Sequence, residues 1–505
     1  MQCPYQLNVD EGQVLAQAMR YEQDLTPWRA VDGETGGPIL SWLPLLAHKI
    51  GLPFDFRMVH ILAVLCLVGT LLATYTVASQ LLGEAAAVIG LAAGSWWLAA
   101  TPDADFIHYS SELVPSLLLS VALVALVTAD RGRAGGGRIF FGGLLLGLIP
   151  WAKLQAVPIG VVLGLWALVD ISRAQGVRPA RRCLRVVLLV VGSVAPTALI
   201  LRWVASAGAW DQFWHSYILA NLSRAAGEPW PTQGAKLVHL LFAQEGSSWF
   251  LDAFVLVAGA FWLRAQDGAR ALPGRPMGLA VLLLAAALFA VLRPITQYSH
   301  YEQLCLVPLM LVAGCCARVI LADGTPAPGQ RKRTGWIVLA VGLLPLSLAY
   351  FWRFDEIRAL RQAMLYENSA AFQIETFVDS AVRQFAPHPE SLAVWGWAPY
   401  LYVDLGIPPG TRDAGYTSLH DGNPSQDFMR ASFFRDLVAS APQVIVDTED
   451  YIAGGVRQTA PAIFPAFADF LKKNYGLVGR GTATRGRDYS VLVDVYVRRP
   501  SAVTP

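Results

Sequence analysis

Pro102-Asp103-Ala104-Asp105-Phe106-Ile107-His108-Tyr109-Ser110-Ser111-Glu112 is a polar stretch between two long apolar runs, and its reading decides the architecture of the chain. It carries Asp103, Asp105 and Glu112 with His108, Tyr109 and two serines, and no Lys or Arg. A short polar break between apolar blocks reads as a loop at a membrane surface. Thr101-Pro102-Asp103 reads as a helix start: a hydroxyl N-cap, Pro at the first helical position, and an acid near the positive end of the dipole. In a helix, Asp105, His108 and Glu112 fall at i, i+3 and i+7, on one face. In an extended chain, Asp103 and Asp105 share a face. Either way carboxylates converge where water meets lipid. The loop is then a solvated cap on a helical hairpin, or one part of a site whose other part lies elsewhere in the chain.

Working outward, the chain has 505 residues, of which 54% are hydrophobic and only 15% charged, a balance too apolar for an ordinary soluble protein. The apolar residues come in blocks of about 16 to 24, the length that spans a bilayer as helix. Spans are expected at 57–82, 84–101, 113–129, 138–151, 154–171, 184–206, 249–264, 277–293, 301–320 and 334–353. The pair 138–151 and 154–171 also reads as one broken helix, interrupted at Pro150-Trp151-Ala152-Lys153. Six cysteines show no CxxC or Cys/His ligand spacing, so neither a disulfide framework nor a zinc site is indicated. Nothing points to a nucleic-acid partner.

Charge placement sets the orientation. One set of alternate loops holds Arg131, Arg133 and Arg138; Arg173, Arg178, Arg181, Arg182 and Arg185; Arg264, Arg270 and Arg275; and Arg318, Arg331, Lys332 and Arg333. The opposite set holds only Lys153, Arg224, Lys236 and Arg293. By the positive-inside rule the first set is cytoplasmic. The acidic N-terminal stretch, the 102–112 loop, the 207–248 loop, the 294–300 loop and the C-terminal part then lie outside.

Three regions follow. Residues 1–56 form a first external loop, with an amphipathic helix over 9–19 and a run over 39–50 too short to span, which fits a helix lying in the interface. Residues 57–353 are the transmembrane domain. Residues 354–505 are mixed in composition, with helices expected at 357–385, 427–439 and 464–475 and strands at 391–397, 443–447 and 490–498. The fold class is therefore a polytopic α-helical membrane protein of about ten spans, with external loop helices and a small C-terminal α/β domain. In the 207–248 loop, 235–242 reads as a second interfacial helix. Trp210, Trp214, Tyr217 and Trp230 read either as a headgroup belt or as a lip around a lipid-linked or sugar substrate.

Asp10-Glu11 precedes every span, on the same side as Asp103, Asp105 and Glu112. A carboxylate at a membrane-surface cleft can take a proton from an acceptor hydroxyl, and a second set can hold a divalent ion beside a leaving phosphate. The alternative is a pair of ordinary helix-start acids. Lys153, in Trp151-Ala152-Lys153-Leu154-Gln155, runs against the charge bias; it snorkels to the headgroups or binds a lipid phosphate as a point charge. Arg293 and the His300-Tyr301 pair flank another external loop, as bilayer-edge anchors or as partners of an anionic headgroup.

Asp10-Glu11 ahead of Asp32-Gly33-Glu34-Thr35-Gly36-Gly37-Pro38-Ile39-Leu40 resembles the first external loop of the GT-C membrane glycosyltransferases. The closer likeness is to the bacterial branch related to protein mannosyltransferases and the aminoarabinose transferase of lipid A. Asp103-Ala104-Asp105 is similar to the Asp-x-Asp of the second external loop in oligosaccharyltransferases. His108-Tyr109-Ser110-Ser111-Glu112 looks like the Ser-Glu-Pro-type element of that loop in bacterial relatives. Lys153-Leu154-Gln155, His300-Tyr301 with Pro308, and an external tail from about Trp395-Gly396-Trp397 look like further features of the branch.

The resemblance implies an inverting hexosyl or pentosyl transfer in the bacterial inner membrane, from a polyprenyl-phosphate donor to an extracytoplasmic acceptor. It gives the catalytic role to Asp10, with Glu11 beside it. Asp103, Asp105 and Glu112 would position the acceptor or a divalent cation (Mg or Mn), with Asp103 and Asp105 as its ligands. Lys153, Gln155, Arg293, His300 and Tyr301 would hold the donor phosphate. Superfamily members begin with a transmembrane helix just ahead of the Asp-Glu pair, and this sequence is expected to lack it. The rivals are a polytopic transporter or flippase, and a polysaccharide-assembly protein. Transporters put ionisable residues near the midplane of broken helices, whereas here the acids lie in external loops.

Overall fold

The computed structural model describes residues 5–101, 106, 108–127, 135–225, 230–242, 247–267, 274–294, 298–321, 372–414, 425–448, 464–485 and 489–500. Two helices, α1 (Val9–Tyr21) and α2 (Pro38–Lys49), precede the long apolar blocks. The blocks themselves become α3 (Phe56–Leu82), α4 (Glu84–Ala100), α5 (Leu113–Val127), α6 (Gly136–Ala152), α7 (Val157–Ser172) and α8 (Pro179–Ser206). After a further helical run come α9 (Trp230–Phe242), α10 (Ser247–Asp267), α11 (Gly274–Leu292) and α12 (Leu306–Leu321).

Among the described residues, five segments are long and apolar enough to cross a membrane: Phe56–Leu82, Leu154–Ser172, Pro179–Ser206, Gly274–Leu292 and Ser299–Leu321. Glu84–Ala99, Leu113–Val127, Gly136–Ala152 and Leu251–Ala260 are apolar but shorter. The expected span at 334–353 lies outside the described residues. Residues 138–151 and 154–171 form two helices, not one, separated where Lys153 takes an extended backbone (φ −157°, ψ 124°). A single turn of 3-10 helix, Leu154–Ala156, follows, and Pro158 in the first turn of α7 suits a fresh helix start because it has no N–H to satisfy there.

Residues Ala63–Leu201 and Arg224–Arg358 pack as one compact unit. Its centre is the Ser299–Leu321 segment, whose most apolar window is 83% buried, against 22% for Pro179–Ser206. Side chains of Leu306, Leu309, Met310, Cys315 and Cys316 form the heart of the core. Close approach explains one glycine pattern: a Cβ at Gly90 would sit 2.7 Å from the Met310 carbonyl oxygen, and one at Gly94 2.8 Å from the Met310 side chain. Two glycines one turn apart thus let α4 pack backbone-close on α12, the small-residue packing that holds helices together in lipid.

Residues Met1–Leu62, Arg202–Ser223 and Ala359–Pro505 pack as the second unit, so the first loop groups with the C-terminal region. The C-terminal region contains a helix over 372–385, β1 (Leu392–Trp395), α13 (Tyr400–Leu405), α14 (Gln426–Ser440), β2 (Val444–Thr448), α15 (Pro465–Asn474), β3 (Tyr475–Arg485) and β4 (Tyr489–Arg498). The sheet order is β1-β2-β4-β3, with β1 and β2 parallel and the other pairs antiparallel. Trp395 anchors its core, with ring centroids 5.5 Å from Phe433 and 5.4 Å from Phe467. Residues 357–371 of the expected helix at 357–385 lie outside the described residues. In the same unit Gly12 of α1 abuts α13, where a Cβ would meet the Tyr400 backbone nitrogen at 2.8 Å.

The described residues of the 207–248 segment are mostly helical. Trp210–Gln212 begins a helical run that continues as a π-helix, Phe213–Leu219, and ends in Ala220–Ala225. Tyr217 is buried against Trp28, centroids 5.3 Å apart, while Trp210 and Trp214 are exposed. The helix expected at 235–242 extends back to Trp230 as α9.

Candidate functional site

The Asp-Glu pair stands in the first turn of α1. Asn8 is the N-cap, and its Oδ1 accepts from the Asp10 N–H at 3.0 Å. Glu11, three residues past the cap, folds back so that its Oε2 accepts from the Leu7 N–H at 2.8 Å, a near relative of the capping box. The same Oε2 lies 3.1 Å from Nε2 of His60, near the start of α3. Glu11 and His60 are both buried, whereas Asp10 is half-exposed. Helix geometry therefore divides the pair: one carboxylate turns inward and fixes the helix start, and the other stays open to solvent.

Asp32, quoted above only as part of the first-loop motif, is fully buried. Its Oδ1 accepts from the Glu34 N–H at 2.9 Å, and its Oδ2 from Gln212 Nε2 at 2.6 Å. Gln212 Oε1 accepts from Ser432 Oγ at 2.8 Å and from Arg412 Nη1 at 3.4 Å. Arg412 forks onto Asp436, with its Nε and Nη2 at 2.8 and 2.7 Å, and its Nη1 donates to the Trp28 carbonyl at 3.2 Å. Burial pushes the Asp32 carboxyl above the ordinary carboxylate range, and the Glu34 N–H, Gln212, Arg412 and Ser216 offset this only in part. This network joins the first loop, the 210–225 run and the C-terminal region within one unit.

The other unit gathers Glu112, Lys153, His300 and Tyr301. Lys153 sits at the break between α6 and α7, and at 4% exposure its ammonium turns inward, not out toward headgroups. It donates to Glu112 Oε1 and to Ser111 Oγ, and it lies 4.6 Å from the centroid of the Tyr301 ring. Ser111 in turn donates to Glu112 Oε2 at 3.2 Å, and His300 Nε2 is 3.8 Å from the same oxygen. The His108 and His300 rings meet edge to face, centroids 5.4 Å apart. Ser110 Oγ donates to Gln303 Oε1 at 2.7 Å, tying the 108–112 segment to the 3-10 turn Ser299–Cys305 ahead of α12. Burial raises the Glu112 carboxyl, but Lys153 and then His300 outweigh it, and the carboxyl lies below its ordinary range.

Gln155 donates its amide to the Ala290 carbonyl at 2.8 Å, in the last turn of α11, and half-buried Arg293 follows that helix directly. Asp103 and Asp105 lie outside the described residues. Among the described residues no group of three or more His, Cys, Asp and Glu is placed to hold a metal ion. His60, Gln212, Gln303 and Arg412 stand outside every sequence motif quoted above, and Ser111 enters only within the His108–Glu112 element. For His60 a signal existed, since an ionisable residue at the head of an apolar span is a suspect by default. Gln212 and Arg412 carry no local signal; their roles arise from partners about 200 residues away.

The fold of this chain is similar to that of solved structures, at low sequence identity. Its particular likeness is to ArnT from Cupriavidus metallidurans. The structure of that protein bound to undecaprenyl phosphate matches with a TM-score of 0.56 at 14% identity, over 99% of this chain and 96% of that one. The ArnT structure in the apo state matches with a TM-score of 0.56 at 15% identity, over 97% and 94%. The oligosaccharyltransferase AglB from Archaeoglobus fulgidus gives a weaker match, with a TM-score of 0.47 at 10% identity over 88% of this chain and 65% of that one. No protein-family model and no curated protein matches the sequence.

Proposed function

We propose that the chain is an integral membrane glycosyltransferase that moves a sugar from a polyprenyl-phosphate donor to an extracytoplasmic acceptor, a cell-envelope glycan, lipid or protein. The observation that carries the proposal is the likeness of fold, over nearly the whole chain, to a protein whose crystal structure holds undecaprenyl phosphate. The proposal includes a bacterial inner-membrane location with residues 354–505 outside.

The residues support distinct roles. Asp10, half-exposed at a helix N-terminus, is the proposed base: it takes the proton of the acceptor hydroxyl as that oxygen attacks the anomeric carbon. The glycosidic C–O bond breaks on the opposite face, so the transfer inverts, and the polyprenyl phosphate leaves with the bonding electron pair. Glu11, bonded to Leu7 and facing His60, holds the turn that carries Asp10. Lys153 is the proposed cation for the donor phosphate, with His300 and Tyr301 beside it, and Gln155 and Arg293 at the end of α11 complete the set. A divalent cation, Mg or Mn, at Asp103 and Asp105 would lower the charge on the leaving phosphate.

The test is transfer by membranes carrying the chain, given a labelled polyprenyl-phosphate sugar and a lysate of acceptors. Loss of transfer in Asp10→Asn at unchanged protein level supports the enzyme and its base together. Equal transfer by both removes Asp10 from the mechanism. Movement of labelled lipid across the bilayer without transfer favours the flippase.

A further inference from the structure

An alkylammonium has three N–H donors. All three directions at Lys153 are engaged inside the chain: Glu112 Oε1, Ser111 Oγ and the face of the Tyr301 ring. The group is buried, so water cannot stand in for a displaced partner at little cost. A phosphate reaches this ammonium only by exchange with one of the three. Ser111 and the ring are neutral, whereas Glu112 carries charge of the same sign as the phosphate. Two anions held against one ammonium in a buried site repel strongly, and the carboxylate is the partner that has to withdraw.

The surroundings give it somewhere to go. Glu112 Oε2 already accepts from Ser111 Oγ and lies 3.8 Å from His300 Nε2. A rotation of the carboxylate off Lys153 keeps it beside the imidazole. We propose that Glu112 is an internal counter-ion that occupies the place of the donor phosphate on Lys153 and is displaced toward His300 when a polyprenyl phosphate binds. Glu112 then sets the affinity and anion selectivity of the site: a weak anion does not dislodge the carboxylate, and a polyprenyl phosphate, with or without its sugar, does. The inference rests on Lys153 as the phosphate cation in the proposed function, and deepens that role.

The experiment is binding of undecaprenyl phosphate to the full chain in lipid nanodiscs, with undecaprenol as the uncharged control. Glu112→Gln keeps the side-chain volume and removes the competing charge, so undecaprenyl phosphate should bind about tenfold tighter or more, with undecaprenol unchanged. Lys153→Met should lose the preference for the phosphate over the alcohol. Glu112→Asp retracts the carboxylate by one methylene and should give an intermediate gain, which keeps the test open if Glu112→Gln does not fold. Undiminished phosphate preference in Lys153→Met overturns the phosphate role of Lys153 itself. Loss of preference in Lys153→Met, with no tightening in either Glu112 variant, overturns the counter-ion alone.

Discussion

Glu11 Oε2 and His60 Nε2 lie 3.1 Å apart, and both side chains are buried. This pair links the turn that bears Asp10 to the head of α3, so the two acids of the Asp-Glu pair should respond differently to substitution. His60→Leu leaves a buried carboxylate with one partner fewer and should cost about 1–3 kcal/mol. Asp10→Asn, half-exposed, should cost under about 1 kcal/mol, mainly through the helix dipole. Yet Asp10→Asn should lower transfer by about 10²- to 10⁴-fold. Melting of the detergent-solubilised variants, beside the transfer assay, separates the two. Equal melting temperatures for His60→Leu and wild type would remove the pair from the architecture.

Asp32 should make stability depend on pH in an unusual direction. Its folded-state pKa is raised, chiefly by burial, so the folded chain holds this proton more tightly than the unfolded chain does. The stabilisation it gives is therefore full below the ordinary carboxylate range and is lost as pH rises through the folded pKa. Asp32→Asn cannot ionise. Its stability deficit against wild type should be largest at acid pH and shrink as pH rises, measured by melting across the range. A deficit that grows with pH would reverse the assignment.

Arg412 spans Asp436, the Trp28 carbonyl and Gln212. Lys cannot reproduce a forked guanidinium, so Arg412→Lys should be nearly as damaging as Arg412→Ala, each costing roughly 1–3 kcal/mol. Limited proteolysis should then cleave the C-terminal region sooner than in wild type. Full rescue by Lys would mean that charge alone matters there.

Gly90 is a helix-packing residue. A methyl group at this position would press on the Met310 carbonyl oxygen, a backbone atom that cannot move alone, so Gly90→Ala should destabilise by about 1–3 kcal/mol. Gly137→Ala, where an added Cβ meets nothing within 4 Å, should be neutral or slightly stabilising. Thermal melting of the pair provides an internal control. Equal effects would mean that α4 and α12 have room to separate.

Much of this architecture is local in origin. The apolar blocks at 57–82 and 84–101 return as Phe56–Leu82 and Glu84–Ala100, because in lipid a long apolar run has no alternative to satisfying its own backbone as helix. The break at Lys153 was legible as a polar residue between apolar runs. The strand β3, Tyr475–Arg485, was not foreseen: with glycines at 476, 479 and 481 it has no apolar alternation of its own and is held by its ladder to β4.

By itself, then, the sequence determined most of the described helical segments and the break at Lys153, since these follow from hydropathy and spacing. Tertiary structure alone decided which groups meet. It turned Glu11 inward and left Asp10 open, gave Lys153 a carboxylate 41 residues away as its partner, and joined Asp32 to Gln212 and Gln212 to Arg412. The physical reason is that a buried polar group must find a partner wherever the fold brings one, and nothing in the neighbouring residues says where that will be.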